Sequence, residues 1–157
     1  MKIRLTCIGR TAYKPLREAI DRYAARIPHY IPFELRELPD VKTTKGTTAE
    51  RQKDLEGRAL LDTLAPADFL VLLDERGREL TSRDFAAFIS DKMVSLPSTL
   101  VLAIGGPYGF SPEVYARANQ KLSLSKMTFP HEMVRLFIVE QIYRAMTILR
   151  GEPYHHD

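Results

Sequence analysis

A chain of 157 residues, 45% hydrophobic and 27% charged, has the size and balance of an ordinary globular domain, which excludes the disordered, fibrous and membrane classes. The net charge of +3 and a pI near 9.0 permit an anionic partner such as RNA without demanding one, because many soluble enzymes are equally basic. No run approaches the roughly 20 apolar residues of a membrane span, and Met1-Lys2-Ile3-Arg4 opens a strand pattern rather than a signal peptide, which predicts a cytoplasmic protein.

Ile3 to Ile8 reads as a first strand, and its Cys7, the one cysteine, as a buried core thiol. Residues 15–26 follow as a helix, with Pro15 in the first turn and Leu16, Ala19, Ile20, Tyr23 and Ala24 on one side. A second strand runs from Phe33 to Leu38. Residues 39–48 form a polar loop rich in Lys, Thr and Gly that carries Lys42 and Lys45, and a helix follows over 49–64. Phe69 to Leu73 and Thr99 to Ile104 are nearly continuous apolar runs, the mark of parallel strands covered on both faces. Between them Thr81 or Ser82 caps a helix over 83–94, with Phe85, Ala86, Phe88, Ile89 and Met93 as its buried side. Ser111 and Pro112 open another helix as N-cap and first helical residue. A short strand from Leu122 to Leu124 and a long helix from His131 to Arg150 end the pattern. Strand and helix alternate throughout, so we expect one α/β domain over 1–157, an open and mainly parallel sheet with helices on both faces.

The last helix is apolar almost all round: Val134, Phe137, Ile138, Ile142, Met146 and Leu149 share one side, and Met133, Leu136, Val139, Tyr143 and Ile148 spread over the rest. An outermost helix of a monomer has a wide polar face. The pattern predicts a homodimer in which a partner chain buries the surplus; the alternative is a central helix within one subunit.

Three segments carry candidate chemistry. Ile104-Gly105-Gly106-Pro107-Tyr108-Gly109 puts glycines directly after a buried strand, where ligands of open α/β sheets bind. The spacing matches neither a dinucleotide fingerprint nor a phosphate-binding loop, and a plain turn is an equal reading. Asp74-Glu75-Arg76-Gly77-Arg78 follows Leu73 at the same sheet edge, and for Arg76 and Arg78 a solvated turn is the simpler account. Leu122 to His131 passes from strand to loop to helix, offering backbone hydrogen-bonding groups and an apolar slot, which is what adenine requires.

Taken together, Leu73-Asp74, the Gly105-Gly106-Pro107-x-Gly109 loop, Leu122-Ser123-Leu124-Ser125 followed by Phe129-Pro130-His131, then Arg135, Glu140, Tyr143-Arg144-Ala145 and Pro153-Tyr154-His155, resemble the ribosomal RNA large subunit methyltransferase H family over essentially the whole chain. The resemblance implies an S-adenosyl-L-methionine (SAM)-dependent enzyme of the knotted SPOUT class. Its members methylate N3 of a pseudouridine in 23S rRNA on the assembled ribosome, as homodimers with a C-terminal trefoil knot and without a metal. It also implies a donor site at Leu73, Gly105, Leu124, Ser125, Lys126, Met127, Thr128 and Phe129. The ending departs from the family: His156 and Asp157 stand where a basic residue commonly follows the histidine.

N3 of pseudouridine bears a proton that must leave, so a base or a cation that stabilises the developing imidate would accelerate transfer. Arg144 is the candidate for that cation, oriented by Glu140 one turn earlier. His155 belongs to the side-chain type that titrates near neutrality and is the candidate proton acceptor, and Tyr154 can stack on or hydrogen-bond the base. A frayed terminal tail is the competing account of both. His131 and Arg135 are either structural helix residues or RNA contacts, with contacts as the reading adopted, and Lys42, Lys45 and Arg51 are expected to meet phosphates unless they are solvated surface. Two other functions fit parts of the pattern: a knotted tRNA methyltransferase with the same donor site, or a non-enzymatic ribosome-associated binding module.

Overall fold

In the computed structural model, which describes residues 1–157, the chain folds as five parallel strands with helices on both faces. The elements in chain order are β1 (Lys2–Ile8), α1 (Lys14–Ala24), β2 (Phe33–Leu38), α2 (Ala49–Leu61), β3 (Phe69–Glu79), α3 (Ser82–Ser95), β4 (Thr99–Ile104), α4 (Pro112–Arg117), β5 (Gln120–Ser123) and α5 (His131–Leu149), with a single 3-10 turn at Ile27–His29. Strand order across the sheet is β2-β1-β4-β3-β5. No helix is long and apolar enough to cross a membrane.

Strand alternation divides the interior into two cores. Ile3, Leu5, Cys7, Leu100, Leu102, Ile104 and Val71 face α1, α3 and α5, while Ile8, Val101, Ala103, Leu70 and Leu72 face α2 and α4. Because both faces are covered, the central strands read as unbroken apolar runs. Burial pushes the Cys7 thiol up to about 12.

Local capping sets the helix starts. The Thr48, Thr81 and Ser111 hydroxyls accept from the amides of Arg51, Asp84 and Val114, so Thr81 rather than Ser82 caps α3. Helix α5 packs between α1 and α3 on one face of the sheet. A central place within the chain therefore uses much of the apolar circumference that predicted a partner subunit: Ile138, Val139, Ile142, Ala145 and Met146 are all buried. Phe137 and Leu149 remain exposed on the outer side.

The strand predicted to end at Leu73 instead continues to Glu79. Leu122 of β5 pairs with Leu73 and again with Arg78, so Asp74 to Gly77 bulge outward between two stretches of ladder. Glycine is needed at position 77, where an added Cβ would lie 2.6 Å from the Leu122 backbone. The charged sequence hid this strand, although its side chains at Glu75, Arg76, Arg78 and Glu79 are exposed as a solvated turn would have them.

Arg135 is the clearest correction. Expected to contact RNA, it is 1% exposed and lies at the carboxyl ends of β1 and β2. Its guanidinium donates to the Ile8 carbonyl (2.7 Å), the Gly9 carbonyl (2.9 Å), Thr11 Oγ1 (3.0 Å) and Glu37 Oε2 (3.0 Å). Burial pushes Glu37 up, but the Thr11 amide, Arg17 and the Thr11 hydroxyl outweigh it and hold the carboxyl below its ordinary value.

Candidate active site

The carboxyl ends of β4 and β5 and the bulge within β3 surround a cleft of about 510 Å³, within the range of small-molecule sites. Each strand contributes one wall. After β4, Gly105 to Gly109 turn tightly: Gly109 has φ +83° and its amide donates to the Gly106 carbonyl at 3.1 Å. At Gly105 an added Cβ would come within 3.3 Å of the Gly109 carbonyl, so the two limbs of the turn touch there.

The β3 bulge forms the second wall. Asp74 Oδ1 accepts the Arg76 amide at 2.8 Å, an Asx turn that shapes the bulge, and the other oxygen accepts the Tyr115 hydroxyl from α4. Burial and the Asp74 carboxylate push the Tyr115 phenol up to about 12, which keeps it a donor. The third wall follows β5. Ser123 Oγ donates to the Ser125 carbonyl (2.7 Å), Ser125 Oγ accepts the Met127 amide (3.0 Å), and Phe129 rests edge-on against Phe137 (5.3 Å). Thr128 Oγ1 donates to Glu75 Oε1 at 3.0 Å and ties the second wall to the third.

Of the expected donor-site residues, Leu73, Gly105, Leu124, Ser125, Met127, Thr128 and Phe129 line this cleft. Lys126 does not: its side chain is 88% exposed and turns toward Glu79. Leu73, Leu124, Met127 and Phe129 give an apolar slot beside turns rich in backbone polar groups, which fits a purine nucleoside. His131 at the start of α5 also lines it, as do Arg76, Tyr108 and Tyr115, which sequence reasoning assigned no role in the site. Only Gly77, closing a charged stretch directly after a buried strand, hinted that residues 74–77 were more than a turn.

A second constellation lies farther along α5. Arg144 donates to Glu140 Oε1 through Nη2 (2.6 Å) and Nε (3.0 Å), and Tyr154 donates to the same oxygen (2.9 Å). Arg144 Nη1 meets His155 Nδ1 at 3.1 Å, and the guanidinium carbon lies 4.7 Å from the Tyr154 ring centre. The Glu140 hydrogen bonds hold the Arg144 pKa up, so it stays a cation. Burial and the Glu140 carboxylate push the Tyr154 phenol well above its ordinary value. The tail is therefore not frayed: Gly151 turns the chain back at φ +67°, Glu152 accepts the Tyr30 hydroxyl (2.8 Å), and Asp157 pairs with Arg83 (2.8 Å) and His155 (2.8 Å). His156 is exposed.

All four expected catalytic residues thus meet one another, but not at the cleft. Glu140 reaches a neighbouring cavity of about 340 Å³ that shares Leu73, Leu124 and Phe129 with the cleft, whereas Arg144, Tyr154 and His155 line neither. Along the helix axis Arg144 lies about 20 Å from His131. Lys42, Lys45 and Arg51 are exposed on or just after the loop that precedes α2.

A parallel sheet of this order, with a cleft of nucleoside size at its carboxyl edge, has the form of an α/β enzyme scaffold. The chain belongs to the SPOUT methyltransferase family: the family described as "Predicted SPOUT methyltransferase" matches residues 1–155. It is 53% identical over 157 residues to the Ribosomal RNA large subunit methyltransferase H of Parabacteroides distasonis, all of both chains being covered. Proteins of the same name from Porphyromonas gingivalis and Christiangramia forsetii are 50% and 51% identical, over 100% and 99% of each chain.

Proposed function

We propose that this chain is a SAM-dependent methyltransferase of 23S rRNA that modifies N3 of a pseudouridine on the assembled ribosome. Full-length identity of about half to proteins named for large-subunit rRNA methylation supports the substrate class. The observation that carries the catalytic reading is the three-walled cleft, with an apolar slot for adenine between turns built from backbone amides and carbonyls. The reading includes a single cytoplasmic domain with a C-terminal trefoil knot, working as a homodimer and without a metal.

The sulfonium of SAM supplies an electrophilic methyl group. The chain's own task is to place N3 in line with it, exclude water and handle the imide proton. Leu73, Gly105, Leu124, Ser125, Met127, Thr128 and Phe129 hold the donor. Arg144, kept cationic and oriented by Glu140, stabilises the charge that grows on the uracil ring as the proton leaves. His155 is the group that takes that proton: its Nε2 donates to Asp157, which leaves Nδ1 as the acceptor, and Nδ1 must first exchange its contact with Arg144 for the base, while Tyr154 packs against the base. Because Arg144, Tyr154 and His155 lie away from the cleft of their own chain, the dimer completes the site: the tail of one subunit reaches the donor held by the other.

The test is methyl transfer from tritiated SAM to tRNA, free 23S rRNA, isolated subunits and whole ribosomes, followed by reverse transcription. A stop at one pseudouridine and label confined to ribosomes are expected, since N3 methylation blocks pairing. Label in tRNA, or in ribose without a stop, would overturn the substrate. A folded protein that binds neither SAM nor its demethylated product would overturn the enzyme.

A further inference from the structure

Behind the glycine turn that forms the first wall lies an acid with no assigned task. Glu56 on α2 is 5% exposed and its Oε1 has no hydrogen-bond partner. Its other oxygen meets only the Gln52 amide, at 3.4 Å from one turn earlier on the same helix. Both oxygens press on the donor turn: a Cβ added at Gly106 would lie 2.5 Å from Oε2 and 2.6 Å from Oε1. The next residue repeats the contact at the turn's far end, for a Cβ at Gly57 would lie 2.5 Å from Oγ of Ser111, the N-cap of α4. Two consecutive residues of α2 thus support both ends of the segment from Gly106 to Ser111.

No lysine or arginine pairs with Glu56. The one charged group bearing on it is Asp40, from the segment after β2, and Asp40 repels a second negative charge. Burial raises the Glu56 pKa above the ordinary carboxylate value, and Asp40 adds to the effect. An ionised carboxylate here would hold one oxygen with no donor, a state that buried groups escape by rotating outward or admitting water. Either movement removes the contact against which the Gly106 backbone rests.

We propose that Glu56 is a positioning residue for the donor turn: as an uncharged acid it fixes the place of Gly106, and as a carboxylate it releases it. This rests on the reading of the cleft as the SAM site. The sign follows from the raised pKa: turn order is complete below the ordinary carboxylate range and is lost as pH rises through the Glu56 value.

The test compares wild type, Glu56→Gln and Glu56→Ala over a range from about pH 5 to 9 by SAM calorimetry and by amide exchange of residues 105–111, with tenfold per pH unit as the steepest single-proton dependence. Wild-type affinity is expected to fall with pH and its turn amides to exchange faster than pH alone requires. Glu56→Gln is expected to bind tightly with both dependences flattened, and Glu56→Ala to bind weakly throughout. Gly106→Ala, which drives a methyl into the carboxyl, is expected to lose SAM affinity and to regain it when combined with Glu56→Ala. Identical pH profiles in wild type and Glu56→Gln, or no coupling between positions 56 and 106, would overturn the proposal. Amide exchange needs no ligand, so a wild type that binds no SAM would defeat the functional reading, while the exchange profiles of wild type and Glu56→Gln would still decide the role of Glu56.

Discussion

The carboxyl edge of the sheet is treated in opposite ways at its two ends. Where β1 and β2 finish, the guanidinium of Arg135 fills the crevice and satisfies the Ile8 and Gly9 carbonyls, Thr11 and Glu37. Where β4 and β5 finish and β3 bulges, the chain is carried away from the axis and about 510 Å³ is left open. One helix serves both: Arg135 plugs the first crevice, and His131, one turn earlier, lines the second. The comparison teaches that strand ends of a parallel sheet make crevices by default, and that the choice between binding site and interior rests on whether the protein supplies its own polar occupant.

The strongest way to break that contrast is Arg135→Met. It leaves the Ile8 and Gly9 carbonyls without this donor and Glu37 with only Arg17 and Thr11, and urea unfolding is expected to show a loss of about 2–4 kcal/mol. A loss below about 1 kcal/mol, the size of one ordinary hydrogen bond, would mean that water replaces the plug without difficulty. Next in size is Gly77→Ala on the open side. Its methyl meets the Leu122 backbone, so a loss of roughly 1–3 kcal/mol is expected together with weaker SAM binding. Unchanged SAM affinity would detach the bulge from the site.

Acid is expected to loosen the plugged end before the open one. The Lys2 hydrogen bond leads the groups that hold Glu34 down to about 2, and Glu37 is also held low, so their contribution is present above the ordinary carboxylate range and lost as pH falls through the folded values. For Glu34 that window runs from 4.5 to about 2. Amide exchange along β1 and β2 should rise across it ahead of β4, and simultaneous opening of all strands would count against two distinct ends. The smallest effect belongs to Lys42→Ala and Lys45→Ala, which are expected to weaken ribosome association slightly and to lower the salt slope by about one per lost phosphate contact. An unchanged slope would make that loop plain surface.

Much of this architecture was legible because its strands are covered on both faces. Runs such as Phe69 to Leu73 and Thr99 to Ile104 announce a parallel sheet, and the glycines after Ile104 mark its working edge. Residues 74–79 were not legible as strand, since an exposed ladder at a sheet margin tolerates charge and its register depends on β5, more than 40 residues away. Arg135 misled for another reason: by sequence it is either a structural helix residue or an RNA contact, and the contact is the reading adopted. Yet Ile138, Val139 and Ile142 stand three, four and seven positions later, and all are buried, so helical spacing alone aims Arg135 inward. The Glu140–Arg144 contact follows from their i,i+4 spacing, whereas the approach of Tyr154 and His155 depends on the chain reversal at Gly151, and the distance of all four from the cleft on how α5 lies across the sheet.

The single thiol of the chain gains a use from where it lies. Cys7 is sealed near the carboxyl end of β1, feels the charges of Arg135 and Glu37, and resists ionisation up to about 12. Alkylating reagents attack thiolates that solvent can reach, so labelling must wait for the strand to open. The protein thereby carries its own stopwatch for the plugged end of the sheet, with no dye or engineered probe required.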